Sequence, residues 1–266
     1  MIGSVCIVVR KCLAGVLLVL GMLSVPGGAA LAEPLVEIKT ISQEGFSAKF
    51  NPENEQRPGI MIEVFRAIER IDPGVKFVGY EAKGATARVE EELQTGEIDV
   101  FFGLAKTPLR ATRYLYVEPP LYITRSILAA RADDPVQIMG WDDVRALGEK
   151  GIVLVVRGTS HAQYLWTQGG LLIDDQAVTT PSNLRKLLAG RGRFFFGSDV
   201  NVAEEIETLK VATQVRILPV RFWETGIYAV FSKKASPAMV KRVGDAIRKL
   251  DRSGELKKIR ARYLMD

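Results

Sequence analysis

"LQTGEIDVFFG" (residues 93–103) and "LLAGRGRFFFG" (residues 187–197) lie ninety-four positions apart and share the leucine, both glycines and two phenylalanines at matching offsets. Each closes an amphipathic stretch on a glycine, the residue that most readily takes the left-handed conformation of a helix stop, and then enters an apolar run. An apolar run without polar alternation reads as a strand covered on both faces. The repeated element is therefore a helix end, a glycine stop and a buried strand. Such a junction recurs in any α/β protein, so the repeat by itself leaves open whether the chain is a duplicated architecture.

Its surroundings favour two successive α/β series. Before the first copy, "VEIKT" (36–40) and "VKFVGY" (75–80) read as strands on either side of a helix whose apolar face is Met61, Val64, Phe65, Ile68 and Ile71. A second helix carries Val89 and Leu93 and stops at Gly96. Before the second copy come strands "SILAAR" (126–131), "IVLVVRG" (152–158) and "QAVTT" (176–180), with helices around Val144, from Thr159 or Ser160, and from an N-cap at Thr180 with Pro181 at N1. Strands alternating with helices imply parallel pairing. "RILPVRF" (216–222) and "GIYAVFSKK" (226–234) read as two further strands, followed by helices from Ser236-Pro237 and near Leu256. If these last elements pack on the first series, lobe 1 is 33–122 plus 226–266, lobe 2 is 123–225, and two strands cross between them near 121–125 and 220–226.

Residues 1–32 read as a cleavable signal peptide: Arg10 and Lys11 precede a charge-free apolar run that ends in small residues, with cleavage expected after Ala32. Export to the periplasm follows. Both cysteines, Cys6 and Cys12, fall within that segment, so the mature chain has no thiol for a disulfide, a metal or catalysis. Removing Arg10 and Lys11 from the 36 basic residues leaves 34 against 31 acidic ones, a net charge of +3. No basic stripe tracks a phosphate backbone, which argues against nucleic acid, and "KKIRAR" near the C-terminus reads as a solvated helix face. His161 is the only histidine, so imidazoles supply no metal cluster and no cofactor is expected. Trp141, Trp166 and Trp223 suit either a pocket wall or a core.

Ligands of open α/β sheets bind beyond the carboxyl ends of the strands, so the residues after the repeated glycines carry the functional reading. Past Gly103, after Ala105, Thr107 can cap a helix with Pro108 at N1 and Arg110 at N3. Past Gly197 come Ser198 and Asp199, the latter placed to cap the next helix, and a third loop presents Thr159 and Ser160. If the loops face one another, Arg110 could grip a carboxylate bidentately and Asp199 could hold an ammonium, as a zwitterion would require. The plain alternatives are that Arg110 is a solvated surface residue and that Asp199 only caps.

"PGIMIEVFRAI" (58–68), "LQTGEIDVFFGLAKTPLR" (93–110), "YLYVEPPLY" (114–122), "VLVVRGTS" (153–160) and "LDRSGELKKIRARYL" (250–264) stand in the order of the polar-amino-acid family of bacterial extracellular solute-binding proteins, family 3, which the chain resembles over its whole mature length. The resemblance implies a periplasmic-binding-protein type II fold, two α/β lobes joined by two hinge strands, in a monomer that binds a small molecule without turning it over. It also implies delivery to the permease of an ABC transporter in the inner membrane. By the same resemblance Arg110 with Thr107, and Gly158, Thr159 and Ser160, would hold the ligand's carboxylate, and Phe46 or Phe50 would cover its side chain. Ser198 stands where the family's amino-group-binding Asp is usual, and Asp199 follows one step later. The ligand expected is thus an amino acid, one held in another manner, or a related small carboxylate. The fold also resembles that of periplasmic dehydratases and of sensory modules; for an enzyme, the titratable candidates are Glu63, Glu118 and Asp199.

Overall fold

A computed structural model describes Gly3 and residues 35–263; the signal-peptide reading lies outside the described residues. In chain order the elements begin with β1 (Val36–Lys39), β2 (Ser42–Gln43), α1 (Ile60–Ile71), β3 (Val75–Val78), β4 (Lys83–Gly84), α2 (Thr86–Thr95), β5 (Val100–Ala105) and α3 (Pro108–Arg113). They continue with β6 (Leu115–Arg131), α4 (Trp141–Ala146), β7 (Val153–Val155), α5 (Ser160–Gln168), β8 (Ile173–Asp174) and α6 (Thr180–Leu188). The last are β9 (Phe194–Ser198), α7 (Asp199–Thr208), β10 (Val215–Phe231), α8 (Pro237–Arg252) and α9 (Glu255–Ala261).

The local signals act as their chemistry dictates. Gly96 ends α2 in the left-handed conformation (φ 75), and Thr107, Thr159 and Ser236 cap α3, α5 and α8 with their hydroxyls. One cap moves by a residue. Thr179, not Thr180, accepts from the Ser182 amide and opens α6, which places Pro181 one position further in. "QAVTT" is not a strand: the short partner of β7 is Ile173–Asp174, and the later segment meets Arg157 through the Ala177 carbonyl, accepting from its amide at 2.9 Å, and Gln176 Oε1, accepting from its Nη2 at 2.8 Å.

The larger correction concerns β6 and β10. "RILPVRF" and "GIYAVF" belong to one strand, β10, which ends at Phe231; β10 and β6 each run 17 residues, roughly 55 Å at about 3.3 Å per residue. One carries the chain out and the other brings it back as its neighbour, so they pair antiparallel, with Ile123 opposite Gly226, Thr124 opposite Thr225 and Arg125 opposite Glu224. The six-stranded sheet is therefore mixed, in the order β5-β10-β6-β9-β7-β8, with parallel pairing confined to β7 with β8 and β9. Two small parallel pairs, β1 with β3 and β2 with β4, lie apart from it.

Burial explains the repeated phenylalanines. Phe194 and Phe196 enter one apolar cluster with Trp141 and Leu165, while Phe195 points the opposite way into a second with Leu184 and Val202. Alternate side chains of a strand face opposite sides, so a triple-Phe strand is stable only where both faces are covered. A third cluster joins β1, β3 and β5 to α1, α8 and α9, and in it Phe65 stacks on Phe77 at 4.4 Å and meets Phe102 edge-on at 4.9 Å. Trp141 completes a core by stacking on Phe222 at 4.0 Å, whereas Trp166 is 60% exposed.

Candidate functional site

Both copies of the repeated element end at one cavity: Gly103 and Gly197 line it from β5 and β9, and its volume is about 40 Å³. Its lining includes Phe46, Lys49, Ala105 and Arg110 together with Ser160, His161, Ser198 and Asn201. Thr159 lines it as well, but its hydroxyl is engaged locally, accepting from the Ala162 amide at 3.3 Å and donating to the Val156 carbonyl at 2.7 Å. Thr107 lies on a neighbouring surface groove and acts as the α3 cap.

Arg110 is not a solvated surface residue; it is 2% exposed. Its guanidinium is already partnered. Nη2 and Nε donate to Glu90 Oε1 at 2.6 and 3.1 Å, Nη2 also reaches the Gly158 carbonyl at 3.0 Å, and Nη1 reaches the Ala105 carbonyl at 3.4 Å. Where a bidentate grip on a ligand carboxylate was expected, two guanidinium donors converge on one oxygen of Glu90 of α2, a residue absent from the expected site.

The cavity's other cation was not expected either. Lys49 sits in the loop "GFSAKF" (45–50), pinned to the start of α1 by Ile60 N–H to Ala48 O at 2.9 Å and Met61 N–H to Lys49 O at 3.1 Å. Gly59 makes that approach possible: at φ 99 its backbone lies so close that a Cβ would come within 2.3 Å of the Lys49 carbonyl oxygen. The ammonium donates to Gln43 Oε1 and to the Gly103 carbonyl, each at 3.0 Å, and lies 4.7 Å from the Phe46 ring centre. No carboxylate pairs with it among the described residues. Burial first, and the Arg110 charge second, lower its pKa to about 7. The one sequence signal was a lysine between Ala48 and Phe50 in an otherwise apolar run, and that pattern does not distinguish a buried amine from a snorkelling one.

His161 is likewise buried, with Nε2 3.2 Å from Ser126 Oγ and its ring against Phe196 and Trp223. Burial, then the charges of Lys49 and Arg110, drive its pKa down to about 3, so the imidazole is neutral. Ser198, not Asp199, caps α7, accepting from the Asn201 amide at 3.3 Å and from Asn201 Nδ2 at 3.0 Å. Asp199 turns to the crossover strands: its Oδ1 accepts from Thr124 Oγ1 at 2.8 Å, the Arg125 amide at 3.1 Å and the Val200 amide at 2.8 Å. It does not line the cavity, and among the described residues no aspartate or glutamate does. Asp199→Ala is expected to lower unfolding stability by about 2 kcal/mol, the scale for bonds to a charged acceptor, a loss that a urea melt would register.

Residues 41–266 match the bacterial extracellular solute-binding proteins, family 3. No curated protein matches the sequence. Among solved structures, the substrate-binding protein of an amino acid ABC transporter superposes with a TM-score of 0.72 at 18% identity, covering 86% of this chain and 99% of that one. A histidine kinase sensor domain described as similar to periplasmic binding proteins gives 0.71 at 21% identity, over 86% and 96%. An ancestral amino acid-binding protein, described as a precursor of cyclohexadienyl dehydratase, gives 0.68 at 17% identity, over 88% and 96%. At such identities the likeness is one of fold, the periplasmic-binding-protein type II fold. The sequence match spans nearly all of the chain that the structure describes, and by it the chain belongs to the bacterial extracellular solute-binding proteins, family 3.

Proposed function

We propose that this is a periplasmic, monomeric solute-binding protein that closes two lobes, 33–122 with 226–266 and 123–225, on a small carboxylate-bearing solute such as an amino acid or organic acid. It then delivers that solute to the permease of an ABC importer. The observation that carries this reading is a cavity lined both by the cations Lys49 and Arg110 and by the helix starts at Thr159–Ser160 and Ser198. Contacts between residues of the two proposed lobes also support it, since a hinge motion would break them: Arg110 to the Gly158 carbonyl, Ser47 Oγ to Glu205 Oε1 at 2.7 Å, and Arg57 to Glu204 at 2.8 Å. A ligand that touches both sides only in the closed form favours closure by its differential affinity, the hinge mechanism for which periplasmic binding proteins are a standard example.

All three carboxylates that an enzyme could have used lie off the cavity lining with partners of their own, Asp199 on Thr124 and Arg125. Glu63 accepts from Tyr263 Oη at 2.5 Å and pairs with Arg262, and Glu118 faces Lys106 at 3.7 Å. Among the described residues no helix is long and apolar enough to cross a membrane. The test is mass spectrometry of solutes released from natively purified protein, followed by a thermal-shift screen of amino and organic acids. A true ligand at a hundredfold excess over its Kd should raise Tm by about 5–10 °C. A screen with no shift would remove the proposal, and conversion of a stabilising solute to product would replace it with an enzyme.

A further inference from the structure

We infer that the cavity takes a small monoanion bearing a carboxylate and no ammonium group, with Lys49 as its charge partner. The inference rests on the solute-binding reading above and narrows its ligand class. Glu90 neutralises Arg110, so of the two cations that line the cavity Lys49 is the one without a counterion among the described residues. Gln43 and Gly103 occupy two of its three N–H donors, both as neutral acceptors, so one donor is free for an oxyanion. An unpaired buried ion is strongly disfavoured, and one negative charge resolves it.

Two further polar groups of the wall lack partners. The Tyr122 hydroxyl, on a fully buried side chain, has no hydrogen bond, and neither has Asn201 Oδ1. Exchanging the oxygen and nitrogen of the Asn201 amide would keep its bond to Ser198 and turn the unpartnered atom into a donor. Tyr122 and Asn201 can thus both donate to a carboxylate.

A zwitterion fits these walls poorly. Its ammonium would enter a cavity that already holds the unpaired Lys49 ammonium and that no carboxylate lines among the described residues, because Asp199 is bound to Thr124 and Arg125. A dianion would carry one charge too many. The volume of about 40 Å³ amounts to roughly three water-sized groups, at about 10–15 Å³ each, the scale of a short monocarboxylate.

Calorimetry at pH 6.5 with amino acids and their deaminated counterparts tests this directly: glycine against acetate, L-alanine against propionate, lactate and pyruvate, and any amino acid found in the screen against its own deaminated form. At least one deaminated acid is expected to bind tenfold or more tighter than its amino acid. Lys49→Met should weaken that acid at least a hundredfold. Tyr122→Phe should weaken it several-fold without lowering the unfolding midpoint, since its hydroxyl has no partner among the described residues. Should Lys49→Met fail to fold, the wild-type comparison and Tyr122→Phe still decide. An amino acid that binds as tightly as its deaminated form, or a Tyr122→Phe protein with unchanged affinity, overturns the inference and leaves the solute-binding reading standing. Absence of binding across both series overturns the two together.

Discussion

Arg110→Ala is expected to weaken the fold by about 3 kcal/mol, the scale for removing one partner of a buried ion pair, with a lower denaturant midpoint and an unchanged m-value. A family-derived carboxylate clamp predicts otherwise: binding would be lost and the fold left intact. The structure makes Arg110 a structural residue as well as a cavity wall, because its departure leaves the Glu90 carboxylate, 17% exposed, without its cation and strips a donor from the Gly158 carbonyl. A paired variant separates these effects. Arg110→Met with Glu90→Gln removes both charges together, so it should recover most of the stability that Arg110→Ala loses. Glu90→Gln alone should also lower stability, since it leaves the more deeply buried guanidinium without its carboxylate, and an added anion should recover part of that loss by pairing with Arg110. Equal stability of wild type and Arg110→Ala would show that the Glu90 pair contributes nothing.

Glu90 illustrates what sequence reasoning can and cannot reach. Features fixed within one turn of chain were legible: the Thr107 and Thr159 caps, the Gly96 stop, the apolar face of α1 and the doubly covered β5 and β9. Choices made by distant partners were not. Glu90, Glu91 and Glu92 are consecutive acids on α2; helix phase sends Glu92 to Arg88 one turn away and Glu90 to Arg110, and only the second pairing needs the tertiary fold. Ser198 and Asp199 are both competent caps, and the outcome was set by Thr124 and Arg125 on β6, which engage Asp199. β10 seemed to divide at Trp223–Thr225 because Glu224 there is exposed and pairs with Arg125 across the crossover, which interrupts the apolar pattern without interrupting the strand. Lys49 was invisible for a related reason: its acceptors are Gly103, fifty-four positions away, and Gln43 on β2, six positions back.

The cost of that buried lysine should be measurable through pH. Folding lowers the Lys49 pKa to about 7, against about 10.4 in an unfolded chain. Between those values the unfolded state holds the extra proton, so stability rises with pH across the interval. The slope is about 1.4 kcal/mol per pH unit, which accumulates to on the order of 4 kcal/mol between pH 7 and pH 10. Other groups titrate in this range too, but they do so equally in Lys49→Met. The expected result is therefore that the stability of Lys49→Met, relative to wild type, falls by that amount as pH rises from 7 to 10 in parallel denaturant titrations. At low pH methionine fills a similar volume without a charge, which favours the variant. At high pH the wild-type amine is neutral and still donates to Gln43 and Gly103, whose acceptors the variant leaves bare, so the order reverses. Parallel stability curves would mean that Lys49 is solvated or paired in solution. A bound monoanion gives a second, independent readout, because its charge holds the ammonium protonated. Binding at pH 8 should then take up a proton, seen as a binding enthalpy that changes with the ionisation enthalpy of the buffer, and affinity should fall as pH climbs above about 7.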